Sequence, residues 1–278
     1  MLDNVKYLVT SGCSFTETYH IKTWPHWLNI ELNTELSNYG IGCQGNSLIA
    51  RKAVYGVTKL LQQGIPAQDI ILGIMWSGDA RTDSYFSNVP NPMIDKHKTD
   101  WQFNPVNFLD KPIDTTDTRE LSDSEINYLQ DKNPSGGWVV MNHNWQDKYS
   151  KAYYGYMYDN VNSVINTYEK CLWVQNFCQA NNIKYFMSQY IKDSFFYKRK
   201  KDDKNIKWMH NSIDWQMFLP VEGCYEWCTE NTELDREFIE QGLPMGGRDD
   251  YQPSHPEPEH HDLFVKKVIL PFLKEKYA

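Results

Sequence analysis

The stretch Val5-Lys6-Tyr7-Leu8-Val9-Thr10 runs straight into Ser11-Gly12-Cys13-Ser14-Phe15-Thr16. Its first half is short, β-branched and aromatic, and bounded by glycine, which is the pattern of a buried strand. Gly12 then lets the backbone turn sharply and leaves Ser14 at the carboxyl end of that strand. In open α/β sheets, ligands bind at this end. A serine presented there is a candidate nucleophile if a histidine reaches it. One such histidine lies near the other terminus, in Ser254-His255-Pro256-Glu257-Pro258-Glu259-His260-His261-Asp262-Leu263-Phe264.

Outward from the serine turn, strands and helices alternate. Trp24 to Leu32 has helical spacing with proline in its first turn. Glu35-Leu36-Ser37-Asn38-Tyr39 reads as a second strand and enters a glycine-rich loop, Gly40-Ile41-Gly42-Cys43-Gln44-Gly45-Asn46-Ser47. A helix is expected from Ser47 to Gln63, stopped by Gly64 and Pro66. Asp69 to Trp76 is the clearest central strand, ending in Ser77-Gly78-Asp79-Ala80-Arg81. Residues from about Thr82 to Ser150 show no sustained period and read as an insertion over the sheet's carboxyl edge, a candidate substrate lid. A long helix is expected from Tyr153 to Asn181, a fourth strand over Ile183 to Gln189, a helical patch near Val221 to Gln241 with a glycine turn at Gly246-Gly247, and a last helix from about Pro258 to Tyr277. This alternation implies an α/β fold with a mostly parallel sheet covered on both faces. The two ends of the chain contribute to one site, so residues 1–278 read as a single domain.

Composition narrows the function. The net charge is −8, which disfavours binding to a phosphate backbone, so no nucleic-acid partner is expected. The basic cluster Lys198-Arg199-Lys200-Lys201 is followed by Asp202-Asp203 and reads as a solvated loop. No apolar stretch approaches a membrane span, and no basic segment followed by an apolar one opens the chain, so a cytoplasmic location away from membranes is expected. Six cysteines in a chain this long read as reduced thiols. Ten Trp and eighteen Tyr exceed the needs of a core, and some suit a groove for sugars or other extended ligands.

The four segments together resemble the SGNH, or GDSL-like, hydrolase family. Gly12-Cys13-Ser14-Phe15-Thr16 looks like its first block, usually Gly-Asp-Ser-x-[Ser/Thr], with Cys13 in place of the aspartate. Asn38 to Asn46 looks like the second block, whose oxyanion-binding glycine falls at Cys43, flanked by Gly42 and Gly45. The third block, normally Gly-x-Asn-Asp, falls on Met75-Trp76-Ser77-Gly78, so Ser77 stands where the family has its asparagine donor. Asn46 is an alternative amide donor. His255-Pro256 matches the catalytic histidine segment, and His261 with Phe264 matches the helix that follows. Gln252 occupies the family's aspartate position, with Asp249 and Asp250 slightly upstream as candidate acids.

The resemblance implies a three-layer α/β/α, flavodoxin-like fold with a long insertion after the third strand. It implies acyl transfer to water without a cofactor. Ser14 would be the nucleophile and His255 the base, oriented by Asp249 or Asp250 or left as a dyad. The amides of Ser14 and Cys43, with Ser77 or Asn46, would form the oxyanion hole, with Trp76 beside the acyl group. The expected substrate is a short-chain ester, such as an O-acetyl carbohydrate.

Other readings compete with these. The altered blocks fit a binding protein for a glycan or other ligand that has lost turnover. His255, Glu257, Glu259, His260 and His261 are dense in metal-ligand types, although Pro256 and Pro258 interrupt helical pairing and no His-Glu-x-x-His occurs, so no metal is expected. His260 and His261 read as structural, with His261 packing or bonding back to a loop near His255. Asp79 and Arg81 read as a salt bridge at the strand end or as substrate contacts, and Trp24 and Trp76 as plain core or acyl-site wall.

Overall fold

The computed structural model describes residues 2–18, 21–86, 137–141, 148–192, 203–232 and 255–277. Six strands lie among them: β1 (Tyr7–Gly12), β2 (Glu35–Asn38), β3 (Ile70–Trp76), β4 (Thr82–Phe86), β5 (Gly137–Met141) and β6 (Lys184–Gln189). Four form a parallel sheet in the order β2-β1-β3-β6. β4 and β5 pair antiparallel as a separate ribbon. The helices are α1 (Trp24–Leu32), α2 (Asn46–Gln62), α3 (Lys148–Tyr156), α4 (Asn160–Ala180), α5 (Lys204–Ser212), α6 (Cys224–Asn231), α7 (Pro258–Phe264) and α8 (Leu270–Tyr277). A π turn, Val265–Ile269, joins the last two.

Period-2 alternation splits the sheet's side chains between two cores. Val9, Leu72, Ile74 and Trp76 face α2 and α4, where they meet Ile49, Ala53, Val164 and Val174. Leu8, Ile71 and Met75 face the opposite way, against Leu28 of α1, Tyr225 of α6, and Phe264, Ile269 and Leu273 of the terminal helices. Every residue of β3 is buried, as a central parallel strand covered on both faces requires.

The strands fall close to the sequence expectation, and three helical expectations change. The expected helix from Tyr153 to Asn181 is two helices. Tyr158 N–H returns to Tyr153 C=O, and Asp159 then caps α4 by accepting the Asn162 N–H at 2.8 Å. A capping carboxylate offers the backbone a better start than continuation through it. The patch near Val221 to Gln241 is helical over Cys224–Asn231, and Gly246-Gly247 lies outside the described residues. α5 arises where no element was expected, with Ile206 and Met209 buried against the sheet. The stretch from Thr82 to Ser150 begins and ends in structure, because β4 pairs with β5 and α3 starts at Lys148. Residues 87–136 of that insertion, and the basic cluster at 198–201, lie outside the described residues.

Candidate active site

The site begins at the carboxyl edge of β1. β1 continues through Ser11 and Gly12, so Gly12 is the end of a strand rather than the turn itself. It is glycine because of close approach: a Cβ there would meet Thr16 Oγ1 at 2.1 Å and the Met75 carbonyl at 2.9 Å. The turn follows, with Thr16 N–H donating to Cys13 C=O at 2.8 Å. Asn38, the last residue of β2, holds it in place. Its amide donates to Thr16 C=O at 2.7 Å and to Thr18 Oγ1 at 3.2 Å, while its carbonyl oxygen accepts from Thr10 Oγ1 and from Gly40 N–H. Trp24 Nε1 adds a bond to Thr16 Oγ1 from the first turn of α1 and is otherwise core. Ser14 is left partly exposed above this network.

The chain returns to Ser14 from 241 residues away. Ser14 Oγ lies 2.7 Å from His255 Nε2. With the ring proton on Nδ1, Nε2 accepts the serine hydroxyl, which is the arrangement of a nucleophile and its base. Phe15 backs the imidazole, with ring centroids 4.8 Å apart, and Tyr190 backs Phe15 at 5.2 Å. Burial and the positive charge of Arg81 hold His255 below the ordinary histidine value, so the ring is a neutral base at pH 7. Asp249, Asp250 and Gln252, the candidates for orienting Nδ1, lie outside the described residues.

The second glycine-rich loop is tied on both sides of Cys43. Gly42 N–H donates to Glu17 Oε2 at 2.9 Å. Gly45 N–H donates to Asp83 Oδ1, and Leu48 N–H to Asp83 Oδ2, both at 2.8 Å. Gln44 reaches back to the Gly12 and Tyr39 carbonyls. Cys43 between them adopts φ 64°, the left-handed region where a glycine is usual. Among the described residues, neither the Cys43 nor the Ser14 amide donates to a protein acceptor. Both N–H groups are thus without a competing acceptor among the described residues, and the loop approaches the serine at Gly42, where a Cβ would lie 4.0 Å from Ser14 Cβ.

Several expected site residues have other tasks. The Gly42 and Gly45 amides are spent on carboxylates, so neither is an oxyanion donor. Asn46 is also fully engaged: its NH₂ donates to Ser77 C=O at 3.0 Å and Thr167 Oγ1 at 3.1 Å, and its oxygen accepts Ser77 N–H. Trp76 is wholly buried among the α2 and α4 side chains and does not border Ser14. Ser77 is also fully buried, and its hydroxyl accepts from Arg81 Nη1 at 2.8 Å. Asp79 accepts from Ser163 Oγ at 3.0 Å, and Arg81 stacks over Tyr190. His260 caps its own helix, its Nδ1 accepting Glu257 N–H. His261 is fully buried with no hydrogen-bond partner for either ring nitrogen. Among the described residues it packs, and does not bond back to a loop.

Set against known proteins, this chain matches no family model and no curated protein. The reading of the site rests on its own geometry.

Three charged residues that composition hides lie behind the loop, Lys52 and Asp83 buried and Glu17 half-buried. Burial pushes Glu17 up to about 7 and Asp83 up to about 6, and it pushes Lys52 down to about 7. The Lys52 ammonium opposes the rise in both carboxylates, and both carboxylates oppose its fall. Lys52 carried a sequence signal, since it sits on the stripe Leu48, Ile49, Ala53, Gly56, Val57 that α2 buries. Glu17 and Asp83 carried none, because only the folded chain brings them to the backbone amides they serve. Nearby, a small polar cleft runs past Arg81, with Ser47, Asp79, Thr82, Tyr153 and Asn166 on its walls.

Proposed function

We propose that this protein is a serine ester hydrolase of the SGNH type, with the three-layer fold of that family, and that it removes a short acyl group such as O-acetyl from a carbohydrate or other small polar ester. The observation that carries the reading is the 2.7 Å contact between Ser14 Oγ and His255 Nε2 across the whole chain. His255 takes the Ser14 proton as Oγ bonds to the ester carbon and the carbonyl π pair moves onto oxygen. That oxygen meets the Ser14 and Cys43 N–H groups, which have no competing acceptor among the described residues. The pair then returns, the bond to the alcohol breaks, and the imidazolium gives its proton to the leaving oxygen. Water repeats the sequence on the acyl-enzyme. The cleft that Arg81 lines has polar walls, which suit a hydroxyl-rich alcohol and not a lipid tail.

Incubation with a fluorophosphonate probe tests the proposal. Wild-type protein is expected to label covalently and to cleave p-nitrophenyl acetate, and Ser14→Ala to do neither. Folded wild-type protein inert to both would instead support a ligand-binding role on a hydrolase-like scaffold. The feature favouring that second reading is Ser77, a fully buried serine where the resemblance expects a carboxamide donor.

A further inference from the structure

The position of the missing carboxamide is not empty of donors. Arg81 follows Ser77 by four residues and folds back onto it, Nη1 donating to Ser77 Oγ at 2.8 Å. Its guanidinium stands 5.2 Å over the Tyr190 ring and beside the thiols of Cys13 and Cys43. Cys13 precedes the nucleophile, Cys43 carries the available amide of the second loop, and Tyr190 backs Phe15 and through it His255. The cation thus lies against residues that adjoin the serine turn, Cys13 in sequence and Tyr190 through Phe15. Among the described residues no carboxylate forms an ion pair with it. A guanidinium has five N–H donors, and a serine hydroxyl, the Cys13 thiol and a ring face satisfy only part of that capacity. Enclosing a cation without a counter-ion is costly. The cost is offset when an anion forms beside it, and the tetrahedral intermediate is such an anion.

Resting on the hydrolase reading above, we propose that Arg81 is the third oxyanion donor, replacing the carboxamide, with Ser77 Oγ and the Tyr190 ring acting as positioning groups that hold the guanidinium flat toward Ser14. The oxygen that gains the carbonyl pair then receives two backbone N–H bonds and one charged N–H bond. A charged donor is stronger than a neutral amide, so the altered third block remains competent. The same placement adds to the depressed basicity of His255, which burial lowers most and which Arg81 lowers further by repelling the imidazolium form.

The test compares wild type with Arg81→Met and Arg81→Lys on p-nitrophenyl acetate, a neutral ester with no anionic group to bind. Arg81→Met is expected to lower kcat by about 100-fold or more with little change in KM, as loss of one oxyanion donor does. Arg81→Lys, which keeps a cation without the planar fork, should fall between the two. In Arg81→Met the acid limb of the pH–rate profile should also move upward toward the ordinary histidine value, which a merely structural arginine would not produce. Wild-type kcat in folded Arg81→Met would overturn the proposal. So would a change in KM alone, which would make Arg81 a wall of the polar cleft. If Arg81→Met does not fold, Arg81→Lys decides: an unshifted acid limb with unchanged kcat, or a change confined to KM, counts against the role, and lowered kcat at wild-type stability counts for it. Inert wild-type protein would instead overturn the hydrolase reading itself.

Discussion

At the residue scale, the site depends on where single donors and acceptors are spent. Cys43 sits at φ 64°, which costs a non-glycine residue about 1–2 kcal/mol. Cys43→Gly relieves that strain and loosens the unfolded chain by about 0.5–1 kcal/mol. The net expectation is equal or slightly higher stability in urea unfolding, with fluorophosphonate labelling retained, because the proposed donor is the backbone N–H. Loss of labelling would mean that the thiol itself matters. His255 offers a second test. Its basicity is depressed by burial and by Arg81, so it stays neutral as pH falls through its ordinary value. The labelling rate is expected to fall on the acid side with a midpoint below pH 6.5, and a midpoint at or above 6.5 would contradict the environment described for the ring. Ser14, Cys43 and His255 were readable in the sequence, because each sits at the end of a patterned segment. The engagement of Asn46, Gly42 and Gly45 was not, because their partners Thr167, Glu17 and Asp83 come from other segments.

At the element scale, the feature that sets the second loop is a helix start served from outside its own sequence. α2 begins after Gly45, and its N-cap has no side chain to satisfy the first amides. Asp83, carried in by β4, accepts two of them with one carboxylate. A Cβ at Gly45 would lie 2.8 Å from that carboxylate, so the glycine makes room for the cap. Asp83→Ala is expected to destabilise the fold by about 3 kcal/mol, since it removes two bonds to a charged acceptor and leaves Lys52 with one fewer counter-charge. Chemical denaturation of this variant beside wild type checks the value, and a loss under about 1 kcal/mol would mean that the cap contributes little. The start of the long insertion thus supports the second glycine-rich loop from behind, which its aperiodic sequence did not reveal. Hydrophobic period made β1, β3, β6, α1, α2 and the terminal helix visible. It did not show the break at Asp159, since apolar spacing continues across a turn that local capping decides.

At the scale of the whole molecule, stability and pH are joined through His261. The ring is fully buried and its basicity is pushed down to about 3, chiefly by burial. The unfolded chain, with an ordinary histidine near 6.5, therefore binds a proton that the folded chain refuses. Stability is full above pH 6.5 and falls as pH drops toward 3. At pH 5 the loss is about 2 kcal/mol, from roughly 1.4 kcal/mol for each unit below the ordinary value. His261→Leu removes this dependence, so the stability difference between variant and wild type should shift by about 2 kcal/mol between pH 7.5 and pH 5. No such shift would mean that the buried ring finds a partner on protonation. His261 and Phe264 lie in the terminal helical run, whose apolar face closes one side of the sheet and so delivers His255 to Ser14. By itself the sequence determined the parallel α/β frame and the two segments that meet, because periodicity and glycine-bounded turns are local properties of the chain. Only the tertiary structure decided which amides lack an acceptor among the described residues, which charges are enclosed, and that Arg81 folds onto Ser77 and Tyr190. Those are contacts between distant segments, and their energies depend on burial that no local pattern encodes.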